Sequence, residues 1–121
     1  MAKKRATLDD LLDKARRTKE IELSPNGPTV LFQAISSKGY DDLIAKHPPT
    51  AKQKKDDAVW NPDTFAPALI SACSKEPLIT EETALGIWKS DSWSRGELMD
   101  IFMAVVTLNS EGLNVPFSEK G

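Results

Sequence analysis

The prolines of this chain fix where its helices and strands can run. A proline lacks the N–H that a helix interior or a sheet ladder needs, and it pushes the preceding residue out of the helical region. Pro48-Pro49 therefore stops a helix that starts at Ser36 or Ser37 and carries Tyr40, Leu43 and Ile44 as its apolar face. Pro67 belongs among the first helical positions, whose N–H groups have no intrahelical acceptor, so the spacing predicts an N-cap near Asp63 or Thr64. Pro77 closes that helix, which places Phe65, Leu69 and Cys73 on one face with Ala68 and Ala72 beside them. Pro28, directly after Asn26-Gly27, turns a tight hairpin signal into a wider loop.

The remaining segments follow from periodicity and capping. Thr7-x-x-Asp10 resembles a capping pair, and Leu8, Leu11, Leu12 and Ala15 recur at helical spacing. A helix this short is marginal by itself, so it either packs on the body or waits for an apolar groove on a partner. From Thr18 the period changes to two: Ile21 and Leu23 alternate with Glu20 and Glu22, and Val30, Leu31, Phe32 and Ile35 follow the loop. Such a hairpin must lie on helices or on another chain's strand, and its edge is a candidate docking site. Residues 50–57, rich in Lys and Asp, read as a mobile connection. Thr80 caps a helix with Glu81 and Glu82 in its first turn and Leu85 and Trp88 on the buried side. Ser94-x-x-Glu97 is the capping box of the last helix, whose buried stripe is Leu98, Ile101, Phe102, Val105, Val106 and Leu108.

The expected architecture is α+β and predominantly α-helical, an N-terminal β-hairpin packed on a bundle of four to five short helices. It divides into a basic arm or short helix over 1–17, one globular domain over 18–111, and a tail over 112–121. A length of 121 residues with 40% apolar content suits a single core. The longest apolar run, Ile101 to Leu108, is far short of a membrane span, and the basic start is followed by Asp9, Asp10 and Asp13 where a signal peptide needs apolar residues. A soluble chain in a reducing compartment is expected, with Cys73 unable to form an internal disulfide. The net charge of −2 conceals a basic front and an acidic carboxyl half, a distribution that argues against nucleic-acid binding and permits head-to-tail self-association.

Chemistry is hard to place. His47 and Cys73 are the sole imidazole and thiol, too few for a structural zinc site. His47 reads as a helix-end residue whose ring serves the last carbonyls, and Cys73 as a small core residue. Asp91 and Gly96 are spaced like positions of a calcium loop, but Trp93 and Phe102 stand where ligands are required. No glycine-rich phosphate loop is present, so no cofactor and no enzymatic activity are expected. Of the tryptophans, Trp88 and Trp93 fit core or staple roles, Trp93 against Leu98. Trp60 fits a core position or an interface anchor equally.

Two stretches carry a resemblance: Tyr40-Asp41-Asp42-Leu43-Ile44-Ala45-Lys46-His47-Pro48-Pro49-Thr50, and Trp60-Asn61-Pro62-Asp63-Thr64-Phe65-Ala66-Pro67-Ala68-Leu69-Ile70. With Thr80-Glu81-Glu82, Trp88, and Trp93-Ser94-Arg95-Gly96-Glu97-Leu98 before an apolar helix ending near Asn109, the chain resembles the tail assembly chaperones of long-tailed, siphovirus-like bacteriophages and prophages over roughly residues 18–110. That resemblance implies a non-enzymatic protein of the infected host's cytoplasm, absent from the mature virion. It would bind the tape measure protein, keep it soluble and help recruit tail tube subunits. It implies no catalytic residues, no cofactor and no metal. Candidate client anchors are Trp60, Phe65, Trp88 and Trp93, and self-association into a homo-oligomer would suit coating a long client. The alternatives are a helical nucleic-acid-binding regulator built around Thr80 to Asn109, a permanent structural component of the virion, and a small enzyme.

Overall fold

The computed structural model describes residues 5–111, so residues 1–4 of the expected arm and the whole 112–121 tail lie outside it. In chain order its elements are α1 (Leu8–Leu12), β1 (Thr18–Glu22), β2 (Thr29–Gln33), α2 (Ser37–Lys46), α3 (Ala51–Lys55), α4 (Pro62–Cys73), β3 (Ser74–Glu76), α5 (Glu81–Lys89) and α6 (Arg95–Ser110). About half of the described residues are helical, and the strands form one small antiparallel sheet. The fold is α+β and predominantly helical.

The hairpin forms as its pattern requires, with Thr18 opposite Gln33 and Glu22 opposite Thr29. The chain crosses between strands over residues 23–28, closed by Leu23 N donating to Pro28 O at 2.9 Å. Asn26 takes the left-handed backbone with φ of 60°. Gly27 does not, and a Cβ there would meet the Ser24 hydroxyl, which would have to rotate away. Val30 and Phe32 point from β2 into the core, whereas β1 buries only part of Ile21 and leaves Lys19, Glu20 and Glu22 in solvent.

A third strand was not legible in the sequence. β3 pairs with β2, Leu31 opposite Glu76 and Phe32 opposite Ser74, which makes β2 the centre of the sheet. The hairpin edge is a candidate docking site from the sequence, and on the β2 side that edge is filled by the chain itself. The β1 edge carries charged side chains that discourage pairing with a further strand.

α4 is the central helix, with Phe65, Ala66, Pro67, Ala68, Leu69, Ile70 and Cys73 all buried and Ala72 exposed. Its N-cap is Asn61, not Asp63 or Thr64. The Asn61 carboxamide oxygen accepts from Asp63 N at 3.0 Å, and Pro62 occupies the first helical position, where no N–H is required. Pro67 therefore sits inside the helix and leaves the Asp63 carbonyl without its usual donor four residues on. The same Asn61 oxygen accepts from Gln53 Nε2 at 3.2 Å. Residues 50–57 are accordingly not a mobile connection: Thr50 and Gln53 form a capping box for α3, and Gln53 ties α3 to the start of α4.

α2 is capped by Ser36 and ends at His47, whose backbone N–H donates to Ile44 O at 3.0 Å. The His47 ring lies edge-on to Phe65, with centroids 6.4 Å apart, instead of serving the helix-end carbonyls. α5 starts at Thr80 as expected, but its buried residue is Ala84, and Leu85 is exposed. α6 carries the expected capping box and buries Ile101, Phe102, Val105 and Leu108, with Val106 and Leu98 half-buried. At its end Asn109 joins three elements: its side-chain oxygen accepts from Ile35 N at 2.9 Å, and its amide donates to Val105 O at 2.8 Å and reaches Cys73 Sγ at 3.3 Å. α1 has its Thr7 and Asp10 capping box but buries nothing.

Candidate protein-binding surface

The four aromatic residues singled out by sequence part company in the structure. Phe65 is fully buried, with its ring stacked on Trp60 at a centroid distance of 4.5 Å and edge-on to Tyr40 and Phe102 at 5.8 and 6.3 Å. Its place as a client anchor is corrected: a ring with no exposed surface cannot touch a partner without unfolding the core. Trp60 is half-buried and held by that stack, so it belongs chiefly to the same aromatic cluster.

Trp88 and Trp93 have a different position. Trp88 projects from the last turn of α5 and packs edge-on to Phe102 at 6.4 Å. Trp93 follows three residues of loop and directly precedes the α6 cap Ser94, so the capping box fixes where it emerges. Both are half-buried. Together they form a ridge with a recess on either side.

On one side is a cleft of about 580 Å³ between the starts of α4 and α6. Its apolar lining includes both tryptophans, Leu98, Met99 and Phe102, and Asp63, Ser90 and Arg95 supply polar groups. Met99 and Met103, one turn apart on α6, stand 43% and 49% exposed. Unbranched methionines adapt to varied apolar shapes at little conformational cost. Leu98 lines the cleft beside Trp93, the pair expected to form a staple.

On the other side two adjoining recesses of about 420 and 180 Å³ share Leu23, Trp93 and Ile101. The smaller is apolar throughout and continues to Ile79 and Ile87. The larger carries Glu22, Glu97 and Asp100, and no basic side chain lines either one.

The groups with shifted proton affinity lie away from this surface. Burial pushes the Cys73 thiol up, against a smaller opposing effect of the Asn109 hydrogen bond, so the thiol stays protonated and unreactive at neutral pH. Burial also raises Tyr40, with a further contribution from Cys73. Among the described residues no cluster of three or more His, Cys, Asp or Glu side chains is placed to hold a metal ion. No helix of the described residues is long and apolar enough to cross a membrane. What the ridge and its recesses can do chemically is bind apolar side chains.

Sequence reasoning named the tryptophans but not their arrangement. The Met99 and Met103 pair was readable as the helical positions left over by the buried stripe of α6. The joining of Leu23 and Ile79 to Trp93 depends on contacts distant in sequence. Comparison of the chain with protein-family models, with curated proteins and with solved structures finds no match.

Proposed function

We propose that this chain holds a helical protein client, and that the client is the tape measure protein of a long phage tail, as the resemblance to tail assembly chaperones implies. In this reading the chain acts without catalysis, in the host cytoplasm, keeping the client soluble and helping tail tube subunits gather on it before the virion is complete. The observation that supports it best is the ridge of Trp88 and Trp93 beside a cleft lined by Met99 and Phe102. A helix presents apolar side chains three and four residues apart, and an open apolar cleft with polar groups at its rim accepts such a stripe. The half-exposed methionines favour release as well as capture, because they offer moderate apolar area and no fixed polar contact.

Co-expression with a tape measure protein from the same genome tests the proposal. The client should stay soluble and co-purify with the wild-type chain, and should precipitate when Trp93→Ser and Met99→Ser are combined. A client that precipitates in the presence of the wild-type chain overturns the proposal, as does finding the chain as a stoichiometric component of purified virions.

A further inference from the structure

We propose that α1 is a strap that folds back on its own chain and closes the acidic groove, the larger recess between β1 and α6 that Ile21, Leu23, Trp93 and Ile101 line. α1 is a capped helix whose Leu8, Leu11 and Leu12 are 76%, 67% and 80% exposed. Helical spacing puts the three leucines on one face and Asp9, Asp10 and Asp13 on the other. The structure shows the strap open, with no residue of α1 buried. An apolar helix face and an apolar recess thus stand uncovered in one chain, and burying each against the other removes both from water.

The tether has the length for this. Arg16 Nε donates to Ala34 O at 2.7 Å and Arg17 pairs with Glu111 at 3.3 Å, which fixes the root of the strap beside the C-terminal end of α6. From there β1 runs back along α6, and Ile21 lies about 17 Å from Arg16 at 3.3 Å per residue. Ile101 lies about 15 Å of helix rise from Glu111. On the other side of the root, Asp13, Lys14 and Ala15 are exposed and link Arg16 to Leu12. Extended, that link covers up to about 14 Å, and α1 adds about 6 Å to Leu8. The leucines therefore reach about 14 to 20 Å from the root, the distance at which Ile21 and Ile101 lie.

The charges agree with closure. Glu22, Glu97 and Asp100 rim the groove, and no basic side chain lines it. Among the described residues neither Glu22 nor Asp100 has an ion-pair partner. Arg5, which Lys3 and Lys4 precede in the sequence, leads into α1, and Lys14 follows it. With the leucines inward, the aspartates of α1 face solvent and the flanking cations come to the acidic rim. So short a link holds α1 at an effective concentration on the order of millimolar, and a contact too weak to gather a second copy still closes within one chain. A partner helix that uses this groove must first displace the strap. The inference concerns the chain alone and does not depend on the identity of its client.

Paramagnetic relaxation in solution NMR of the full chain tests it. A nitroxide is attached at Asp9→Cys, on the outward face of α1, while the buried Cys73 thiol stays unlabelled. Amides of residues 21–24 and 97–101 should broaden, and to the same extent at every protein concentration. Adding Leu8→Ser, Leu11→Ser and Leu12→Ser should reduce that broadening several-fold and leave the rest of the spectrum in place, since α1 contributes nothing to the core. Glu22→Lys with Asp100→Lys, both at exposed positions, should reduce it as well, and high salt should act in the same direction. Groove amides that do not broaden, or broadening that the leucine substitutions leave unchanged, would overturn the proposal. So would equal broadening of an isotope-labelled chain without nitroxide when it is mixed with a nitroxide-bearing chain, which places α1 on a second copy.

Discussion

Replacing Phe65 with Ala separates a core role for this residue from a role in binding. Phe65 is fully buried, and its ring meets Trp60 at 4.5 Å, Tyr40 at 5.8 Å and Phe102 at 6.3 Å. Removing about 150 Å² of buried ring at 25 cal/mol per Å² costs about 4 kcal/mol. The aromatic contacts add about 1 kcal/mol, and the result falls at the upper end of the 3–5 kcal/mol usual for Phe→Ala in a core. A domain of this size has about 5–15 kcal/mol in total, so the variant should lose a third or more of its stability and unfold at a much lower urea concentration. Phe65→Leu keeps most of the apolar volume and should lose only about 1–2 kcal/mol. Urea unfolding followed by tryptophan fluorescence and by far-UV circular dichroism measures both. Loss of the stack should also shift Trp60 emission to the red in the folded baseline of Phe65→Ala. A loss under about 1 kcal/mol for Phe65→Ala would refute the placement of Phe65 in the core and restore it as a surface anchor.

Asn61→Ala should lower the urea midpoint by the equivalent of about 1 kcal/mol with an unchanged slope, whereas Asp63→Ala, at the cap position that the proline spacing suggests, should change stability by less than about 0.5 kcal/mol. Stability should fall as pH rises above 9.0, the ordinary value for a thiol, because the unfolded chain then releases the Cys73 proton while the folded chain retains it. Burial raises Tyr40 in the same sense, extending the decline past 10.0, and Cys73→Ala should flatten the first part of the profile in chemical denaturation at stepped pH.

α6 was legible because sixteen helical residues repeat their apolar stripe through several turns, with a capping box to set the phase. α5 is shorter, and its phase was read one residue off, so Leu85 was given the buried place that Ala84 holds. β3 offers three polar or charged residues and no alternation; it exists because β2 presents an edge at the point where α4 ends. α3 has no apolar stripe, and its signal was the Thr50 and Gln53 capping box within a run of lysines. The aromatic residues near residue 60 were recognisable as a group. Which of them the core consumes depends on the stack between Trp60 and Phe65 and on the approach of Phe102 from a helix some forty positions later. The acidic groove likewise draws Leu23 from the hairpin loop to Trp93 and Ile101, a meeting that no local pattern encodes.

Hydrogen–deuterium exchange of the chain alone and in complex with the tape measure protein tests the central claim most directly. If the client lies along the ridge of Trp88 and Trp93, amides of residues 88–103 gain protection in the complex while those of α2 and the β1 edge do not change. Protection confined to α2 or to the β1 edge, with residues 88–103 unaltered, would contradict the account.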